Sequence, residues 1–173
     1  MRILLPLPRH DYDPSEVAVS WRTLRASGHD VRFATPDGAQ ALPDPLMLSG
    51  EGLDAWGLIP GLRKLRVLGL ALRAEAEARA AHDELLNDAA FRAPLSYPAI
   101  DPAAFDALLL PGGHAQGMRP YLEDALLQAH VAAFFDADKP VAAICHGVVL
   151  AARSISRRRG RSVLQGRDRK SVV

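Results

Sequence analysis

The sequence predicts an α/β domain built around a parallel β-sheet, and three observations indicate this class. Within residues 2–34 a strand, a helix and a second strand follow one another, which is the order of a βαβ unit. Two further apolar runs, at residues 105–110 and 141–144, are each followed by a Gly-containing turn and then by a helical pattern. The chain of 173 residues is long enough for one such domain with a sizeable core.

The first helix has a well-defined start. Asp13 stands where an N-cap is expected, Pro14 occupies the first helical position and Glu16 the third, which is the pattern of a capping box. Apolar residues at helical spacing follow, and Gly28 is expected to end the helix. The flanking strands are predicted at residues 2–7 and 29–34.

Residues 42–97 interrupt the alternation of strands and helices. A Pro- and Gly-rich stretch at 42–61 precedes a helical pattern at 64–87, and no strand pattern is present. Glu75 and Arg79 have the i,i+4 spacing of an ion pair. We interpret 42–97 as a helical insertion packed over the domain, either as a lid or as a structural decoration.

The alternation resumes after the insertion. Pro120 is expected to open a helix that runs to about Phe135. Near the end of the chain, residues 157–161 form a basic and solvated loop, and residues 162–164 have the composition of one more strand.

The composition is that of a globular domain and gives no sign of nucleic-acid binding, disulfides or a membrane span. With 49% hydrophobic and 24% charged residues the chain resembles an ordinary globular domain, and its net charge of +1 gives no reason to expect nucleic-acid binding. A single Cys excludes an internal disulfide and suits a reducing compartment. The apolar run at residues 3–7 is too short for a signal peptide or a membrane span, so we expect a cytoplasmic protein without a membrane partner.

A strand-to-helix junction at residues 140–153 is the most informative stretch. Its turn is Cys145-His146-Gly147, with the small residue Ala143 before it. This is the arrangement of a nucleophile elbow with Cys in place of Ser, and the helix N-terminus is expected to favour the thiolate. The alternative is that Cys145 is a buried, unreactive core residue.

Three strand ends carry unusual residues. In a doubly wound parallel sheet the carboxyl ends of the strands meet at one edge, and ligands bind there. The residues expected to converge on that edge are Glu16, Gly112, Gly113, His114, Cys145 and His146.

These segments resemble the DJ-1/PfpI superfamily, also called ThiJ/PfpI or class I glutamine amidotransferase-like proteins. The resemblance covers residues 1 to about 166, and the segments that carry it are 13–16 (DPSE), 33–38 (FATPDG), 108–114 (LLLPGGH) and 143–147 (AICHG). It implies a flavodoxin-like three-layer α/β/α sandwich, commonly a dimer, and no cofactor.

The resemblance also implies roles for individual residues. Cys145 matches the nucleophilic or redox-sensitive Cys, and Glu16 matches a buried acid whose protonated carboxyl bonds the thiolate, although a helix cap explains Glu16 equally well. The backbone N–H groups of Gly113 and His146 match an oxyanion site, to which the neighbouring Gly112 and Gly147 belong.

The resemblance defines the roles of the histidines less closely than those of Cys145 and Glu16. The His146 side chain matches a base in some members of the superfamily, where an acid from the C-terminal part of the fold orients it, and this sequence has no clear match for that acid. His114 either contacts substrate or packs. The other histidines show no metal-ligand spacing, so no metal is expected; they are His10, His29, His82 and His130.

Two function classes remain open at this point. One is a Cys-dependent enzyme that acts on a small reactive carbonyl compound, as glyoxalases and deglycases do, or on an amide bond. The other is a non-enzymatic stress protein that senses oxidation through Cys145 or acts as a chaperone. The partner expected in the first class is a small molecule.

The end of the chain does not continue the pattern of the superfamily. Residues 1–166 are expected to form the domain, and residues 167–173 look like a non-native tail. We therefore expect a C-terminally truncated domain whose sheet has an unpaired edge and an uncovered apolar face.

Overall fold

The computed structural model of the chain describes residues 1–51, 54, 56, 59, 62 and 67–167. A sheet of five parallel strands runs through its centre in the order β3-β2-β1-β4-β5. The strands are β1 (Arg2–Pro6), β2 (Asp30–Thr35), β3 (Leu95–Ser96), β4 (Ala107–Leu110) and β5 (Val141–Ala143). The helices are α1 (Pro14–Ala26), α2 (Pro45–Ser49), α3 (Leu68–Leu72), α4 (Ala76–Leu85), α5 (Ala89–Arg92), α6 (Arg119–Glu123), α7 (Ala125–Asp136) and α8 (Gly147–Arg153). None of the helices in these ranges is long and apolar enough to cross a membrane.

Helices cover both faces of the sheet, because side chains of each strand alternate between two apolar cores. Leu4 and Leu108 belong to the core shared with α6, α7 and α8. Ile3, Leu5 and Leu109 belong to the core shared with α1, α4 and α5. The predicted α/β class and its flavodoxin-like three-layer sandwich are therefore confirmed.

Helix α1 begins as its sequence predicts. The Asp13 carboxylate accepts hydrogen bonds from the backbone N–H groups of Ser15 and Glu16, at 2.8 and 3.0 Å, and Pro14 occupies the first turn. The helix ends at Ala26, and Gly28 follows with a φ of 79°, which favours glycine. The Glu16 side chain, however, does not close a capping box with Asp13, as described below.

The segment predicted as a purely helical insertion also contains a strand. Residues Leu95–Ser96 form β3, which pairs with the end of β2. The helical pattern is divided into α3 and α4, and the Arg79 guanidinium donates to the backbone carbonyl of Ala74 instead of pairing with Glu75, which precedes α4 as its N-cap. Residues 63–66 lie outside the described residues.

Two other predicted elements differ in the structure. The helix expected over 120–135 is divided into α6 and α7, because the Asp124 carboxylate caps a new helix by accepting from the N–H of Leu127 at 2.7 Å. The strand expected at 162–164 is reduced to a single bridge between Ser162 and Ile155, after which the chain turns. Residues 168–173 of the predicted tail lie outside the described residues.

Strand β5 lies at one edge of the sheet, where β4 is its partner among the described residues. Beside it, on the face that carries α1, is an open cavity of about 660 Å3 lined mainly by apolar side chains. Its lining includes Ile3, Val19, Leu24, Leu109 and Val141. Among the described residues, β5 therefore pairs on one side only, and the apolar cavity lies beside it.

A buried polar pair connects α4 to the loop after β1. The hydroxyl of Tyr12 and Nε2 of His82 lie 2.9 Å apart in a hydrogen bond, and both side chains are almost completely buried. Burial lowers the pKa of His82 and raises the pKa of Tyr12. Both shifts favour the neutral form of the pair.

This burial predicts a pH dependence of stability. Because the pKa of His82 is lower in the folded protein than its unfolded value of about 6.5, the unfolded chain gains the proton first as pH falls, and stability is lost below about pH 6.5. Urea unfolding from about pH 8 to about pH 5 should show a steeper loss for wild type than for His82→Phe, which cannot titrate. Parallel pH profiles of the two proteins would contradict this prediction.

Candidate functional site

The turn between β5 and α8 places Cys145 at the carboxyl edge of the sheet. Cys145 has a φ of 48°, in the left-handed region that few non-glycine residues adopt. The turn is held by bonds from the N–H of Ile144 to the carbonyl of Leu110 at 2.9 Å and from the N–H of Gly147 to the carbonyl of Ile144 at 2.8 Å. The Cys145 side chain is exposed, so the alternative of a buried core cysteine is wrong. This geometry is that of the predicted nucleophile elbow.

Two glycines allow the turn to lie against the end of β4. A Cβ atom at Gly147 would stand 2.1 Å from the carbonyl oxygen of Leu110, and one at Gly112 would stand 2.7 Å from the backbone nitrogen of His146. Gly147 is therefore needed for the packing of the turn, whether or not it also contributes to binding. The same applies to Gly113, where a Cβ would stand 2.7 Å from the carbonyl oxygen of Asp11.

The loop after β1 and the loop after β4 are joined by two backbone contacts. The N–H of Asp13 donates to the carbonyl of Gly112 at 3.1 Å, and the N–H of Gly112 donates to Oε2 of Glu16 at 2.6 Å. The Glu16 carboxyl also lies near enough to the Cys145 thiol to influence its protonation. The Glu16 side chain therefore faces the thiol and Gly112 and does not cap the helix. The carboxylate of Asp13 caps α1 by itself.

Two histidines flank the thiol. Nδ1 of His146 lies 3.4 Å from the Cys145 sulfur, and Nε2 of His114 lies 3.8 Å from it. The two rings meet edge to face, with centroids 5.4 Å apart. His114 thus lies beside the thiol although it comes from another loop. Among the described residues, no carboxylate is recorded as a hydrogen-bond partner of the His146 ring, and the acid that would orient this ring stays an expectation.

The proton affinities of Cys145 and Glu16 depend on each other. Although the Cys145 side chain is exposed, partial desolvation of the sulfur is the largest cause that raises the pKa of Cys145; the nearby Glu16 charge raises it further, while the backbone N–H of His146 lowers it. Burial also raises the pKa of Glu16, and the N–H of Gly112 opposes that shift. The backbone N–H of His146 at the start of α8 thus lowers the pKa of Cys145, in the direction expected of a helix N-terminus, while desolvation and the Glu16 charge act in the opposite direction.

Asp11 is a positioning residue that the sequence did not indicate. Its φ is 69°, and its carboxylate accepts a hydrogen bond from the N–H of Gly117 at 2.9 Å. Together with the contact of its carbonyl with Gly113, this bond fixes the loop that carries His114. No motif marks Asp11, and an Asp in a polar loop is too common to be singled out. Its enrichment among non-glycine residues with positive φ is the one available signal.

Replacing Gly147 by Ala should destabilise the fold. The new methyl group would overlap the Leu110 carbonyl, and we expect a loss of about 1–3 kcal/mol in the free energy of unfolding, measured in urea. The neighbouring Val148 is 40% exposed, so Val148→Ala is the control and should change stability by less than about 0.5 kcal/mol. Equal stabilities of Gly147→Ala and wild type would contradict the close approach.

Asp11 can be tested with two variants of different character. Asp11→Ala removes the acceptor for Gly117 and places an unfavoured residue at positive φ, whereas Asp11→Asn keeps an acceptor oxygen and tolerates that backbone. Amide hydrogen exchange at Gly117 should accelerate in Asp11→Ala and stay near the wild-type rate in Asp11→Asn. The same rate in all three proteins would show that Asp11 does not hold the loop.

Comparison with known proteins shows the family of the chain. A family model described as ThiJ/PfpI family-like matches residues 7–159. The deglycase TK1284 of Thermococcus kodakarensis is 32% identical over 129 residues, which cover 71% of this chain and 74% of that protein.

Solved structures show the same fold. The Rapid Encystment Protein of Francisella tularensis superposes with a TM-score of 0.62 at 16% identity, covering 94% of this chain and 66% of that one. Glyoxalase III of Candida albicans superposes with a TM-score of 0.55 at 17% identity, covering 94% and 64%. The chain thus spans slightly less than two thirds of the length of these structures. From the family match, the identity to the archaeal deglycase and the shared fold, we conclude that the chain belongs to the ThiJ/PfpI family of the DJ-1/PfpI superfamily.

Proposed function

We propose that this protein is a Cys-dependent enzyme of the DJ-1/PfpI type that acts on small reactive carbonyl compounds, as glyoxalases and deglycases do. The observation that carries the proposal is an exposed thiol on a strained turn with an imidazole nitrogen 3.4 Å away and a second one 3.8 Å away. A nucleophile with a base in reach is the basic requirement of covalent catalysis.

The chemistry begins with addition of the Cys145 sulfur to an aldehyde carbon. The S–C bond forms, the C=O π bond breaks, the thiol proton passes to a neighbouring imidazole, and the carbonyl oxygen takes a proton to give a hemithioacetal. With a 2-oxoaldehyde, a base then moves the hydrogen of the former aldehyde carbon to the adjacent carbon, which forms a thioester. Water hydrolyses the thioester, so the net reaction adds one water and yields a 2-hydroxy acid. His114 and His146 are the groups proposed to move these protons.

The backbone around the thiol suits this reaction. We assign the N–H groups of Gly113 and His146 to the developing oxyanion, because the His146 N–H acts on the thiol and Gly113 lies in the loop that follows the neighbouring strand β4. Glu16 contacts the thiol and Gly112 at the same time, and it would keep the sulfur and this loop in register.

The relatives favour a carbonyl substrate over an amide. The archaeal relative is named a deglycase, and one of the structural neighbours is named a glyoxalase III. A non-enzymatic redox or chaperone role has no comparable support, although an exposed thiol would also be oxidised in such a protein.

The test is consumption of methylglyoxal in the absence of glutathione, with formation of lactate measured in parallel. Wild type should convert the substrate, and Cys145→Ser and Cys145→Ala should fall to the uncatalysed rate. His114→Ala or His146→Ala should reduce kcat by about 10²–10⁴-fold for whichever ring is the general base. His10→Ala is the control, because His10 is exposed on a loop and outside the site.

Two results would argue against the proposal. Full activity in Cys145→Ser would exclude the thiol as nucleophile. Absence of carbonyl conversion, together with cleavage of a peptide amide that Cys145→Ala abolishes, would assign the site to amide hydrolysis instead.

A further inference from the structure

We propose that His114, Cys145 and His146 form a binding site for one thiophilic divalent cation, such as Zn²⁺, and that this cation blocks the nucleophile. The nitrogen, sulfur and nitrogen atoms of the three side chains all lie within 4.8 Å of one another. The spacing along the chain does not indicate such a site, because 31 positions separate His114 from Cys145. The fold alone brings the two loops together.

The two distances from the sulfur are close to those that a metal ion requires. In a tetrahedral zinc site with Zn–S of about 2.3 Å and Zn–N of about 2.0–2.1 Å, a sulfur and a nitrogen ligand stand about 3.5 Å apart. The observed separations from the Cys145 sulfur are 3.4 Å to His146 and 3.8 Å to His114. The two histidine nitrogens lie within 4.8 Å of each other, so a cation would bind if the rings approach to the separation of about 3.4 Å that a tetrahedral site needs.

The donor set selects the kind of cation. One thiolate and two imidazoles suit Zn²⁺ and its spectroscopic substitute Co²⁺, whereas Mg²⁺ and Ca²⁺ prefer oxygen ligands. Three protein ligands leave a fourth position for water, because Cys145 and His114 are exposed to solvent. No second group of this kind is recorded in the part of the chain that the structure describes.

Binding and catalysis would compete for the same atoms. When the cation binds, the S–H bond breaks, the proton goes to solvent and the sulfur lone pair enters the S–metal bond. The two imidazole lone pairs needed to accept protons are occupied as well. The loaded protein should therefore resist both alkylation of Cys145 and addition to an aldehyde. The block of catalysis rests on the proposed function, but the binding site does not.

The experiment is a titration of the metal-free protein with Co²⁺ followed by absorption. Wild type should bind one equivalent, give thiolate-to-cobalt charge transfer in the near ultraviolet, and lose that signal when one equivalent of Zn²⁺ is added. Cys145→Ser should lack the charge-transfer band. Loss of a residue that only hydrogen-bonds to a metal ligand lowers metal affinity by about 10–100-fold. His114→Ala and His146→Ala each remove a proposed ligand and should therefore weaken Co²⁺ binding by more than that. His10→Ala is the control and should bind as wild type does.

A separate measurement keeps folding and function apart from binding. Circular dichroism should show that the three site variants fold, and iodoacetamide labelling of wild type should slow in stoichiometric Zn²⁺ and recover with a chelator. A charge-transfer band that survives Cys145→Ser, or unchanged affinity in both histidine variants, would overturn the site. If the protein binds Co²⁺ as expected but never converts methylglyoxal when metal-free, the proposed function fails while the metal site stands.

Discussion

The close approach of the β5–α8 turn to the end of β4 is the constraint on which the site depends. The Leu110 carbonyl accepts the N–H of Ile144 and stands where a side chain at position 147 would project. With Gly147 held there, the preceding backbone has to reverse within one residue, and Cys145 takes the left-handed conformation. The exposed thiol is thus a consequence of how tightly a turn packs on its neighbouring strand. The strain at Cys145 persists because the surrounding hydrogen bonds determine the turn.

The two other strand ends are coupled to this turn through backbone groups. Gly112 bonds Asp13 through its carbonyl and Glu16 through its N–H, and its α-carbon lies against the backbone nitrogen of His146. A shift of any one loop would disturb the other two, because all three meet at a glycine without a side chain. Asp11, in the loop after β1, likewise holds the loop after β4 through its contacts with Gly113 and Gly117. The side chains around the thiol are therefore positioned by main-chain contacts more than by side-chain packing.

The parts of the structure that depend on local pattern were predictable, and those that depend on tertiary partners were not. The cap at Asp13, the parallel sheet and the elbow at Cys145 follow from short motifs and from the rule that carboxyl ends of parallel strands share an edge. Strand β3 has two residues and exists because the side of β2 is free to pair, which no pattern in its own sequence shows.

Local competition explains the other differences. Asp124 caps α7 and so divides a stretch whose composition favours one continuous helix. The Arg79 guanidinium donates to the carbonyl of Ala74 just before α4, and this local bond replaces the predicted ion pair with Glu75. The proximity of His114 to Cys145 likewise needed the register of two loops, although each residue was singled out separately.

The position of the thiol at the sheet edge also has a thermodynamic consequence. The elbow is carried by β5, a strand of three residues whose outer side has no partner among the described strands. An edge strand with few buried contacts belongs to the part of a protein that opens most readily, and the apolar cavity beside it leaves this face only partly covered. The strand that carries the thiol is therefore held mainly from the β4 side, where the Leu110 carbonyl accepts the Ile144 N–H.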